Sequence, residues 1–111
     1  MRNTGAALVW CPFPDRETAR ATAARLLDES LIACANIVGE IESIFEWEGE
    51  RSSGTEIAVL LKTTSERLEE VVSRLGELHP YDTPAIVGWC CDQAYPATLD
   101  WLMLQTRPTL Q

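Results

Sequence analysis

An α+β fold is what this sequence predicts, and three observations predict it. Two stretches with helical spacing of apolar residues alternate with four strand-like stretches, in the order βαββαβ. A cluster of turn residues, "WEGERSSG", separates the second and third strands and fits a hairpin. Each helical stretch is entered through polar residues suited to a helix start, Asp15 for the first and the Thr63–Glu66 pair for the second. This is the split βαβ, ferredoxin-like order. It implies an antiparallel sheet with strand order 4-1-3-2, both helices on one face, and here an extra C-terminal helix, all within a single domain spanning 1–111.

The elements follow in order. "AALVWC" is a short apolar run, expected as a buried strand. In "PDRETARATAARLLDES", Asp15 can cap a helix, Glu17 adds negative charge to its first turn, and Ala19, Ala23, Leu26, Leu27 and Ser30 form its stripe. "CANIVGEIESIFEWEGE" alternates with period two. Ile37, Ile41, Phe45 and Trp47 are expected on one face, with Glu40, Glu42, Glu46 and Glu48 beside Val38 and Ile44 on the other. "EIAVLLKT" returns as a strand apolar on both faces. In "TTSERLEEVVSRLGELH", Leu68, Val71, Val72, Leu75 and Leu78 form the second helical stripe. Pro80 ends it, because the residue before a proline is pushed out of the helical region. "PAIVGWCC" is the fourth strand, and "YPATLDWLMLQ" a closing helix with Pro96 in its first turn.

Charge and composition exclude several classes of function. The formal net charge of −8 argues against nucleic acid or an anionic membrane as partner, since both repel such a surface. No apolar run approaches the roughly 18 residues of a membrane span, and the N-terminal stretch has no signal-peptide pattern, so the expectation is a cytoplasmic protein. Cys11, Cys34, Cys90 and Cys91 are then expected as free thiols, and their spacing matches no zinc framework.

One conflict points to assembly. A sheet covered by helices on one face alternates apolar and polar residues, yet strands one, three and four are apolar on both. The closing helix is too short to cover four strands. Other copies of the chain are the simplest cover, which predicts an obligate homo-oligomer.

Five segments together resemble the CutA1 divalent-cation tolerance family: "CPFPDRETA", "LIACANIVGEIESIFEWEGE", "EIAVLLKT", "HPYDTPAI" and "YPATLDWL", in that order and spacing from about Leu8 to Leu102. The resemblance implies a ferredoxin-like homotrimer whose sheets pack around a three-fold axis. It also implies a link to copper and other divalent cations, with no established catalysis. This chain departs from the family in places. Leu78 stands where copper-binding relatives carry the first of two consecutive histidines, Ala85 follows Pro84 in place of glutamate, and the hairpin's basic residue is shifted to Arg51.

The chemistry-bearing residues converge on the only histidine. Strand four runs beside strand one in the expected order, so Cys11, Asp15, His79, Tyr81 and Asp82 should cluster at one sheet end, from which the hairpin tip with Trp47, Glu48 and Glu50 also departs. Cys34 starts strand two at the opposite end. Thiolate and imidazole suit copper or zinc, which makes Cys11 and His79 the candidate metal ligands, for copper or another divalent metal ion. A helix-ending histidine with a purely structural role is the competing reading. A nucleophile–base pair of Cys11 and His79 is disfavoured, because no oxyanion-hole glycines flank Cys11 and Pro12 removes a backbone donor, so no enzyme is expected. Glu56 and Lys62 share a face of strand three with Ala58 and Leu60. In an assembly these charges need partners, through an ion pair or a polar pocket that holds a small metabolite between subunits.

Overall fold

The computed structural model describes residues 4–107. Its elements are β1 (Ala6–Phe13), α1 (Arg16–Asp28), β2 (Cys34–Trp47), β3 (Glu50–Thr64), α2 (Leu68–Leu78), β4 (Val87–Cys90) and α3 (Pro96–Gln105). The four strands form one antiparallel sheet in the order β2-β3-β1-β4.

Side-chain alternation divides the sheet. Val9, Cys11 and Phe13 of β1 and Ile57, Val59 and Leu61 of β3 face the helices. They form one buried core with Ala19 and Leu26 of α1 and Val71 and Leu75 of α2. The Asp15 carboxylate accepts the Thr18 amide at 2.7 Å and so starts α1, as its sequence position implies. At the other end of α1, Glu29 receives both Arg25 and Arg74, which ties α1 to α2. Leu27, placed in the buried stripe by spacing, is exposed. Gly88 lets α2 come close to β4, for a Cβ there would lie 2.8 Å from Leu68 Cδ1 and 3.1 Å from the Leu8 carbonyl oxygen.

Three local expectations are corrected. First, Ile37 does not share a face with Ile41, Phe45 and Trp47. A bulge between Ile37 and Gly39 leaves Val38 unpaired, so Ile37 stands opposite Val59 while Ile41 stands opposite Glu56. The extra residue reverses the facing of everything beyond it. Ile37 packs on the helix-side core, and Ile41, Phe45 and Trp47 turn to the other side. Gly39 sits at φ 137°, which a side chain would resist.

Second, "RSSG" is strand rather than loop. The turn is only Glu48 and Gly49, both at positive φ (50° and 81°), the signature of a type I′ hairpin. The β2–β3 ladder therefore continues to Trp47 opposite Glu50, as an arm that no helix covers.

Third, Thr63 and Glu66 form no capping box. The ladder between β1 and β3 holds Thr63 in the strand, its hydroxyl donates to the Leu31 carbonyl at 2.7 Å, and α2 starts three residues after Ser65 with no side-chain cap. The helix ends at His79, in extended conformation before Pro80, as expected.

The face away from α1 and α2 carries Leu8 and Trp10 of β1, Ala58, Leu60 and Lys62 of β3, and Val87 and Trp89 of β4. α3 returns onto this side at one end only, where Leu102 is buried against Ala6 and Ala33. Val87 remains 59% exposed and Trp89 46%.

Candidate functional site

The site is assembled where three elements end or pass. β1 finishes at Phe13, α2 at His79, and β3 runs alongside with Glu56. His79 is buried, with its ring stacked on Phe13 (centroids 4.6 Å apart). Nε2 lies 2.8 Å from the Pro12 carbonyl oxygen, and the Tyr81 amide donates to Nδ1 at 3.2 Å. A carbonyl only accepts and an amide N–H only donates, so these partners assign the ring proton to Nε2. Both nitrogens are thereby engaged by backbone on either side of the ring.

Cys11, the other candidate ligand, points into the core and has no exposed surface. Burial pushes its thiol up to about 12, with the negative charge of Glu56 adding to the effect. Its Sγ lies 3.8 Å from the Pro12 carbonyl oxygen. It is a protonated, enclosed thiol that would have to lose its proton to act as a nucleophile or ligand.

Tyr81 extends from the loop and donates its hydroxyl to Glu56 Oε2 at 3.0 Å. Partial burial, this hydrogen bond and the surrounding negative charge raise its phenol to about 12. Asp15 is exposed and occupied as the α1 cap; the Thr18 backbone and side-chain hydrogen bonds hold its carboxyl below the usual range. Asp82 is exposed on the loop. The structure therefore brings Cys11, His79, Tyr81 and Glu56 to one sheet end. The hairpin tip lies apart: Glu50 is six strand residues beyond Glu56, about 20 Å at the usual rise. Glu56 is the member that sequence reasoning placed elsewhere. Its facing in β3 was legible, but its neighbour Tyr81 lies in an irregular loop. Among the described residues, no group of three or more His, Cys, Asp or Glu side chains is arranged to hold a metal ion.

The other thiols, Cys34, Cys90 and Cys91, are half-buried and free. No helix among the described residues is long and apolar enough to cross a membrane.

Fold and site together define a small α+β protein with one helix-covered sheet face, one largely uncovered face and a histidine latch at the end of the sheet. Known proteins share this fold. The profile of the CutA1 divalent ion tolerance protein family matches residues 7–105, and the chain belongs to that family. The divalent-cation tolerance protein CutA of Pyrococcus horikoshii is 40% identical over 100 residues, covering 90% of this chain and 97% of that protein. The protein of the same name from Thermus thermophilus is 39% identical, covering 89% and 96%. The crystal structure of the divalent ion tolerance protein CutA1 from Ehrlichia chaffeensis superimposes with a TM-score of 0.87 at 35% identity, covering 93% of this chain and 96% of that one.

Proposed function

We propose that this chain is a homotrimeric divalent-cation-binding protein that acts in cation tolerance without turnover. The carrying observation is the second face of the sheet. Trp10, Leu60, Val87 and Trp89 form one apolar surface there, and Phe45 and Trp47 extend exposed apolar surface along the same side of the hairpin arm. A surface of this kind is characteristic of an interface, and copies of one chain related by cyclic symmetry cover it most simply. Sedimentation equilibrium tests this. The expected mass is three times the 12.4 kDa of the chain, and Leu60→Asp should dissociate or unfold the protein by placing a carboxylate in that surface. A stable monomer at micromolar concentration would overturn the reading.

For the cation, we propose copper or a similar soft divalent ion with His79 and Cys11 as ligands. Their surroundings set the conditions. His79 must release the Tyr81 amide or the Pro12 carbonyl, and Cys11 must lose its proton. Binding is therefore expected to release protons and to weaken as pH falls. Titration calorimetry with copper on the parent, His79→Ala and Leu78→His decides it: affinity should fall in the first variant and rise in the second. Equal affinity for parent and His79→Ala would remove the histidine from the cation site and leave the trimer reading untouched. The four free thiols support a reducing, cytoplasmic compartment.

A further inference from the structure

The two nitrogens of His79 are held unequally. Nε2–H donates to the Pro12 carbonyl at 2.8 Å, a bond between the ends of two regular elements, β1 and α2. The Nδ1 lone pair receives the Tyr81 amide at 3.2 Å, from a segment that lies in neither helix nor strand. Among the described residues, 80–85 make two hydrogen bonds, both through Tyr81: its amide to Nδ1 and its hydroxyl to Glu56 Oε2 at 3.0 Å. The Tyr81 ring packs against the imidazole, with centroids 4.7 Å apart, yet remains 38% exposed. Glu56 stands one residue beyond the β1–β3 ladder, which ends with Phe13 opposite Ile57. A histidine that binds metal through one nitrogen characteristically donates the other N–H to a backbone carbonyl or a carboxylate, which fixes the ring and makes its lone pair more basic. His79 has that arrangement at Nε2, and at Nδ1 the Tyr81 amide occupies the place an ion would take.

We propose that Nδ1 of His79 is the cation-binding nitrogen, that the Tyr81 segment is a strap closed over it, and that Glu56 is the catch of that strap. This rests on the cation reading above and decides which of the two ring contacts is given up. The Pro12 bond stays, because breaking it parts the end of α2 from β1 and leaves a buried carbonyl unpaired. The Tyr81 amide leaves, because it belongs to an exposed segment where water replaces the lost partner. Pro80 and Pro84, each with a fixed φ, bracket the part that swings. The hydroxyl bond to Glu56 sets how often the strap opens: losing a hydrogen bond to a charged acceptor shifts such an equilibrium by about tenfold or more. Opening also frees the Glu56 carboxylate, whose charge attracts a cation.

His79 is the only histidine in the chain, so the strap is measurable without metal. Diethyl pyrocarbonate acylates an imidazole at the nitrogen that holds the lone pair, here Nδ1 under the Tyr81 amide. At constant pH, with the product located by peptide mass mapping, Tyr81→Phe should react about tenfold faster than the parent, since it keeps the ring and loses only the catch. Glu56→Ala should react faster by a similar factor, and it carries this arm if Tyr81→Phe does not fold. Zinc ion then identifies the nitrogen. In nitrogen NMR of the parent with isotope-labelled histidine, zinc should shift Nδ1 and leave the proton on Nε2. Equal acylation rates in the parent and both variants overturn the strap, and a zinc shift confined to Nε2 overturns the assignment of Nδ1. Failure of the cation reading looks different: the variants acylate faster but zinc moves neither nitrogen, which overturns that reading and the role of Nδ1 together.

Discussion

The His79 Nε2 stands 2.8 Å from the Pro12 carbonyl oxygen, across 67 residues of chain. This bond joins the end of α2 to the end of β1. With the Tyr81 amide on Nδ1, it turns one imidazole into a bridge between a strand and the loop that leads into β4.

Replacing that bridge should cost stability whatever the fate of metal. His79→Ala leaves the Pro12 carbonyl and Tyr81 amide without their partner and empties the space against Phe13. Each unpaired buried polar group costs about 1–3 kcal/mol, so urea denaturation should show a loss of about 2 kcal/mol or more. An unchanged midpoint would mean that the two backbone groups find water instead.

The hairpin turn offers a stabilising change. Glu48 holds a positive φ that disfavours most side chains, whereas asparagine followed by glycine is preferred at this position of a type I′ turn. Glu48→Asn is expected to raise the thermal midpoint, by an amount worth about 0.5–1 kcal/mol. A lower midpoint would show that the Glu48 carboxylate makes a stronger contribution than its backbone strain.

Gly88 predicts a coupled pair. Gly88→Ala sets a methyl group 2.8 Å from Leu68 Cδ1 and 3.2 Å from Val9 Cγ2. Overpacking of this kind costs about 1–3 kcal/mol. In a Leu68→Val background, where no Cδ atom remains, the same substitution should cost less. A double-mutant cycle by chemical denaturation measures the difference, and strict additivity would show that Leu68 moves aside without penalty.

Acid stability should report the link between the helices. Arg74, and after it Arg25, hold the Glu29 carboxyl at about 2 against an ordinary 4.5. A depressed folded value means that the contribution is complete above 4.5 and is lost as pH falls towards about 2. Across that window the urea midpoint of the parent should fall more steeply than that of Glu29→Gln. Parallel curves would show that solvent screens the pairs to insignificance.

The site was legible in part. Pro80 placed His79 at a helix end, and strand order placed Cys11 at the same end of the sheet. The partners of the ring were not legible, because they are backbone groups: any residue at 12 or 81 would present a carbonyl or, proline excepted, an amide. The enclosure of Cys11 followed from its facing in β1, which the short apolar run "AALVWC" could not fix, since both faces of that run are apolar.

The sequence by itself determined the element order, the Asp15 cap, the stop at Pro80 and the uncovered apolar face. Each depends on residues near one another in the chain or on simple alternation. Tertiary structure alone decided two things: that β2 reverses its facing after Ile37, and that the strand ladder withholds Thr63 from α2. Both are matters of register. Register is set by how two distant strands align their hydrogen bonds and apolar side chains, and one unpaired residue, Val38, is enough to invert it.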